Sequence, residues 1–214
     1  MARWAIAIHG GAGVDPNLPE SRQDEAKRVL ARCLQAGVDM LRAGASALDV
    51  VEAVVRELET DPFFNSGRGS ALTRRGTVEM EASIMDGRGR RCGAVSGVST
   101  VKNPVSLARR VMDKSPHSYL AFEGAEEFAR EQGLETVDNS YFITEDNVGM
   151  LKLAKEAGSI LVRSVPRSNG HFIATQISSE LTSVFPVCSS TTASRWPGRT
   201  RAARWRGRTT TRAW

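Results

Sequence analysis

The sequence predicts an α+β domain over residues 1–161, followed by a tail of different character over 162–214. Short apolar runs with two-residue alternation are interleaved with longer segments whose apolar residues return every three or four positions. Gly, Pro and Asn separate these segments at short intervals. The charge is also divided. Residues 1–161 hold 20 Lys and Arg against 23 Asp and Glu, whereas 162–214 hold nine Arg, no Lys and one acid, Glu180. The net charge of +5 therefore arises wholly in the tail.

The first element is Trp4–Ile8, an apolar run that reads as a strand entering the turn His9-Gly10-Gly11-Ala12-Gly13. A long helix is predicted over Glu20–Ala43, because Ala26, Val29, Leu30, Cys33, Leu34, Val38 and Leu41 recur at helical steps and Gly44 closes it. A second helix starts at Ser46, with Asp49 three residues on as a capping box, and buries Leu48, Val51, Val54, Val55 and Leu58. After a loop with Pro62, Gly67 and Gly69, Val78–Met85 reads as a strand and Asp86–Gly89 as its hairpin turn. Arg91–Thr100 is the returning strand, and its small residues Gly93, Ala94, Ser96 and Gly97 predict another backbone packed closely on it. Helices follow at Val105–Asp113, Gly124–Gln132 and Glu145–Ala157, the last capped by Thr144.

Beyond Leu161 no period is sustained. From Cys188 the chain is Ser, Thr, Arg, Ala and Gly with scattered Trp, which predicts a disordered segment unable to offset its ordering entropy. A chain of 214 residues, 41% hydrophobic and 25% charged, is an ordinary globular composition with enough length for one sizeable core. No run of 18 apolar residues predicts a membrane span, and the N-terminal run is too short for a signal peptide. Cys33, Cys92 and Cys188 are odd in number and in no metal pattern, which points to free thiols in the cytoplasm.

Several motifs carry chemistry. The glycine turn at His9–Gly13 can approach an anion through its N–H groups, but it is neither a dinucleotide fingerprint nor a P-loop. It also resembles an esterase oxyanion loop, yet no Gly-x-Ser-x-Gly elbow follows, and a plain turn with a core histidine is the alternative. In Leu58–Gly69 a polar Asn65 sits beside Phe63 and Phe64, which reads either as an Asx-turn or as a rigid loop presenting an amide. His117-Ser118 is too closely spaced for a base–nucleophile pair. Glu79 and Glu81 share one strand face, as a carboxylate pair or, more simply, a solvated surface. His9, His117 and His171 have no metal-ligand spacing.

His9–Gly13, the Asn65 loop, Gly76–Asp86, Cys92–Val98, Lys102-Asn103-Pro104 and Ser115-Pro116-His117 occur together in order. In this arrangement residues 3–161 resemble the plant-type L-asparaginase and isoaspartyl peptidase family of N-terminal-nucleophile hydrolases, and look close to its plant members. The resemblance implies a four-layer αββα sandwich. It also implies a precursor that cuts itself at a Gly–Thr bond and a threonine whose own α-amine is its base. The substrates implied are L-asparagine and β-aspartyl dipeptides. Gly10 and Gly11 match the glycine loop near the scissile bond, and Asn65 matches the asparagine lining the nucleophile. The main-chain carbonyls of Leu58, Glu59, Asp61, Phe64, Ser66 and Arg68 match a structural sodium loop. Val111–Phe122, with Ser118, matches a loop that binds potassium in some plant members.

The resemblance covers only the first-subunit half. The one Gly–Thr pair, Gly76-Thr77, lies upstream of the family's cut, so no nucleophilic threonine is assigned. The abrupt change at Leu161–Val162 resembles a shifted reading frame or retained intron. The sequence therefore predicts an inactive, truncated or frame-shifted family member with an incomplete sandwich. The alternatives are a non-catalytic variant that pairs with intact family chains, or a nucleic-acid binder using its Arg and Trp tail. The tail holds no recognisable binding module, which disfavours the last.

Overall fold

The computed structural model describes residues 4–11 and 19–156, and the expectations for Ala12, Gly13, Ala157, the 162–214 tail, His171 and Cys188 lie outside the described residues. The elements in order are α1 (Glu20–Arg42), α2 (Ala47–Thr60), β1 (Met80–Asp86), β2 (Arg91–Val98), α3 (Pro104–Lys114), β3 (Tyr119–Ala121), α4 (Phe122–Glu131) and α5 (Glu145–Glu156), with a 3-10 turn at Asn139–Phe142 before α5. The fold class is α+β, with one three-stranded sheet among the described residues.

The local signals act as their chemistry dictates. At the start of α2 the Ser46 hydroxyl accepts the Asp49 N–H at 3.2 Å and donates to the Asp49 carboxylate at 2.6 Å. At α5 the Thr144 hydroxyl accepts the Asn147 N–H at 3.3 Å. The hairpin pairs β1 with β2 antiparallel, Ser83 opposite Ala94 and Met85 opposite Cys92. The chain then crosses through α3 and returns as β3, parallel to β2 with Ala94 opposite Tyr119.

Helix α3 lies on one sheet face, and Gly93 is where it touches. A Cβ there would stand 2.0 Å from the Ala108 carbonyl oxygen and 2.6 Å from the Met112 nitrogen, so only glycine admits the helix. Around this contact Val78, Met80, Ile84, Val95, Val98, Leu107, Val111, Ala125 and Phe142 form the larger core. A second core joins Val29, Cys33, Val50, Val54, Leu58 and Phe64 between α1 and α2.

Two expectations are corrected. Trp4–Ile8 belongs to no sheet among the described residues. Its two-residue alternation is present, with Ile6 and Ile8 against the α1–α2 core, but a strand is defined by ladder partners and this segment packs on helices instead. Val111–Phe122 is not a loop. It contains the last turn of α3, a four-residue connection and β3, because β2 offers it an edge to pair with.

Candidate functional site

The Asn65 loop leaves the C-terminus of α2. Thr60 donates its hydroxyl to the Arg56 carbonyl at 2.8 Å, and the Asp61 carboxylate accepts the Phe63 N–H at 3.0 Å, which turns the chain out of the helix. Phe64 is buried in the α1–α2 core and pins the loop. The glycine turn packs on the same ring: a Cβ at Gly10 would stand 3.0 Å from Phe64. Gly11 has a φ of +113° and donates its N–H to His9 Nδ1 at 3.2 Å. The two sequence motifs thus meet at one aromatic ring.

Beyond Phe64 the loop folds on itself. Ser66 donates its N–H to the Phe64 carbonyl at 2.8 Å, and Arg68 to the Glu59 carbonyl at 2.7 Å. Gly67 has a φ of +55°, and a Cβ on it would lie 2.2 Å from the Glu59 carbonyl oxygen. A Cβ at Gly69 would lie 2.3 Å from the Pro62 carbonyl oxygen and 2.8 Å from that of Phe64. Carbonyls of Glu59, Pro62 and Phe64 therefore crowd the two glycines. Asn65 itself is exposed, and its Oδ1 accepts the Ala71 N–H at 2.8 Å, spanning the loop. The guanidinium of exposed Arg68 lies 5.7 Å from the Tyr141 ring centre.

Two side chains that the sequence reading passed over hold this loop from outside. The Glu59 carboxylate is buried, accepts the Val105 N–H at 2.9 Å and accepts the Asn103 side-chain amide at 3.2 Å. It caps α3, whose own N-cap residue Asn103 makes no side-chain cap. Burial pushes its carboxyl up to about 8, against the pull of those two hydrogen bonds. Asn147, at the start of α5, donates its amide to the Gly69 carbonyl at 2.5 Å and the Ser70 carbonyl at 2.9 Å. Neither role has a local sequence signature, since each partner is more than 40 residues away.

The remaining candidates stay apart from this loop. His117 is exposed, and its N–H donates to the Ser115 hydroxyl at 3.0 Å. The Ser118 carbonyl accepts the Ala94 N–H at 2.9 Å. Glu79 and Glu81 are both exposed, as a solvated strand face requires. Cys33 and Cys92 are free thiols. Among the described residues no cluster of three or more His, Cys, Asp or Glu side chains could hold a metal, and no helix is long and apolar enough to cross a membrane.

A family model described as asparaginase matches residues 2–176. A probable isoaspartyl peptidase/L-asparaginase 2 of Arabidopsis thaliana is 76% identical over 161 residues, 75% of this chain and 50% of the relative. The isoaspartyl peptidase of Escherichia coli is 43% identical over 76% of this chain and 51% of its own length. The human isoaspartyl peptidase/L-asparaginase is 42% identical over 70% of this chain and 48% of its own length. The chain spans about half the length of the curated relatives it matches. By the extent of the family match and the identity shared over three quarters of its length, the chain belongs to the asparaginase family.

Proposed function

We propose that residues 1–161 are the first-subunit half of an amidohydrolase acting on L-asparagine and β-aspartyl dipeptides. The observation that carries this is the 76% identity to a probable isoaspartyl peptidase/L-asparaginase over 161 residues. In this reading the described sheet is one of two in a four-layer αββα sandwich. Its second face bears Ser83, Met85, Ala94, Ser96 and Tyr119, of which Met85 and Tyr119 are exposed, Tyr119 by 54%. That face takes the second-subunit half, supplied by an intact family chain.

The chemistry follows from a threonine carried by that second half. Its hydroxyl attacks the side-chain amide carbon of asparagine while its α-amine takes the hydroxyl proton. The proton passes to the departing ammonia, and water then releases aspartate from the acyl-enzyme. Asn65, held by the Ala71 N–H, lines the nucleophile, and Gly10 and Gly11 form the glycine loop near the scissile bond. The main-chain carbonyls of Leu58, Glu59, Asp61, Phe64, Ser66 and Arg68 would hold sodium, a hard cation that prefers oxygen ligands, and of these the Glu59 and Phe64 carbonyls are crowded against Gly67 and Gly69. The Glu59 and Phe64 oxygens each accept one N–H and keep a second lone pair. Bound sodium would stiffen the loop. Replacing sodium chloride with choline chloride is expected to speed amide exchange across 59–69, and equal exchange in both salts removes the sodium assignment. Potassium chloride is the second arm, for Val111–Phe122. We place the protein in the cytoplasm, where its thiols stay reduced.

The 214 residues contain no threonine after a glycine except Thr77, which lies just ahead of β1. Expressed alone, the chain is expected to remain one band on a denaturing gel and to release no ammonia from L-asparagine. Two fragments with turnover would overturn this reading and assign the nucleophile to Thr77.

A further inference from the structure

We propose that Asn147 is a positioning residue for Asn65, so that the seating of α5 sets the aim of the loop amide; this rests on Asn65 lining the nucleophile. Asn147 occupies the third residue of α5, and its N–H is held by the Thr144 hydroxyl at 3.3 Å. Its backbone is therefore fixed by the helix cap, and its side chain points back out of the first turn. The amide donates to two consecutive carbonyls, Gly69 at 2.5 Å and Ser70 at 2.9 Å. The Gly69 N–H is bound to the Phe142 carbonyl at 3.0 Å, just ahead of the same helix. Gly69 and Ser70 are buried, so their carbonyls have little water to turn to when the amide is removed. The next N–H along the chain, that of Ala71, is the one that holds Asn65 Oδ1 at 2.8 Å. The path from α5 to the Asn65 side chain is thus two carbonyls and one peptide unit long. A second tether of α5, the ion pair of Arg22 with Asp146 at 3.0 Å, is exposed on both partners, and Arg22 reaches the loop at the Phe63 ring, 5.3 Å from its guanidinium and outside the segment 66–72.

The test is hydrogen exchange by mass spectrometry on the dilute full chain, comparing Asn147→Ala, Asn147→Gln and Arg22→Ala. In N147A the segment 66–72 should exchange about tenfold faster, the loss of one to two net hydrogen bonds, while exchange of α3 is unchanged. N147Q keeps the donor and should recover most of the protection, and R22A should leave 66–72 unchanged. Unaltered exchange of 66–72 in N147A overturns the proposal. So does an equal rise in R22A, which would mean that this amide is not what fixes the loop. Catalytic use of Asn65 is tested separately, by turnover of an Asn65→Ala chain supplied with a second half. Protection lost in N147A with turnover intact in N65A would leave the positioning standing and refute the role of Asn65.

Discussion

Glu59 ends the buried stripe of α2, yet its side chain does the work of a cap for a different helix. Its two hydrogen bonds satisfy the buried Val105 N–H and one bond of the buried Asn103 amide, which also donates to the Arg56 carbonyl at 3.4 Å, so Glu59→Ala would orphan the Val105 N–H and strip Asn103 of one partner. The expected cost is about 2–4 kcal/mol by urea pulse proteolysis. Glu59→Gln keeps an acceptor for Val105 and should cost less. The carboxyl titrates near 8 when folded, against an ordinary value of 4.5. Its stabilising protonated form is fully present below that ordinary value and is lost as the pH rises through about 8. Stability should therefore fall across this window, by at most about 1.4 kcal/mol per pH unit, and the slope should vanish in E59Q. Equal slopes in the two proteins would mean that another group titrates. The sequence displays Glu59 only as one more helical residue. Its partner lies 46 positions on, and nothing local shows that the two meet.

At the scale of elements, what could be read from the chain was what neighbours in sequence decide. Ser46 with Asp49 marked the start of α2, Thr144 marked that of α5, and the small residues of β2 announced a close backbone, which proves to be α3 at Gly93. What could not be read depended on a partner in space. Trp4–Ile8 alternates like a strand but packs on helices, and β3, three residues long, exists only because β2 has a free edge. The glycines separate these cases sharply. Gly93→Ala drives a methyl into the Ala108 carbonyl and should cost roughly 3 kcal/mol. Gly124→Ala, inside α4 with no atom within 4 Å of the new Cβ, should gain about 0.5–1 kcal/mol. Thermal unfolding of the two variants should move in opposite directions. A harmless G93A would contradict the α3–β2 contact.

For the whole molecule, the described sheet is covered on one face and open on the other, and the match spans half of each relative. A sheet with Met85, Ala94 and Tyr119 on an uncovered face presents apolar surface that water does not favour, so the isolated chain should self-associate as its concentration rises. Of the candidate site, Asn65, Gly10 and Gly11 are named by the match of their motifs to the family, and the two motifs meet at the Phe64 ring. It could not locate Asn147, whose amide meets the loop 78 residues away from its own position. In the function proposed above, this chain supplies one half of a hydrolytic site. The most direct measurement is aspartate release from L-asparagine on titrating the chain with the unmatched half of the Arabidopsis relative, its threonine exposed at the N-terminus. Turnover should appear only in the mixture, saturate near one-to-one and be lost with Asn65→Ala. No turnover at any ratio, with the two halves bound to one another, would contradict the account.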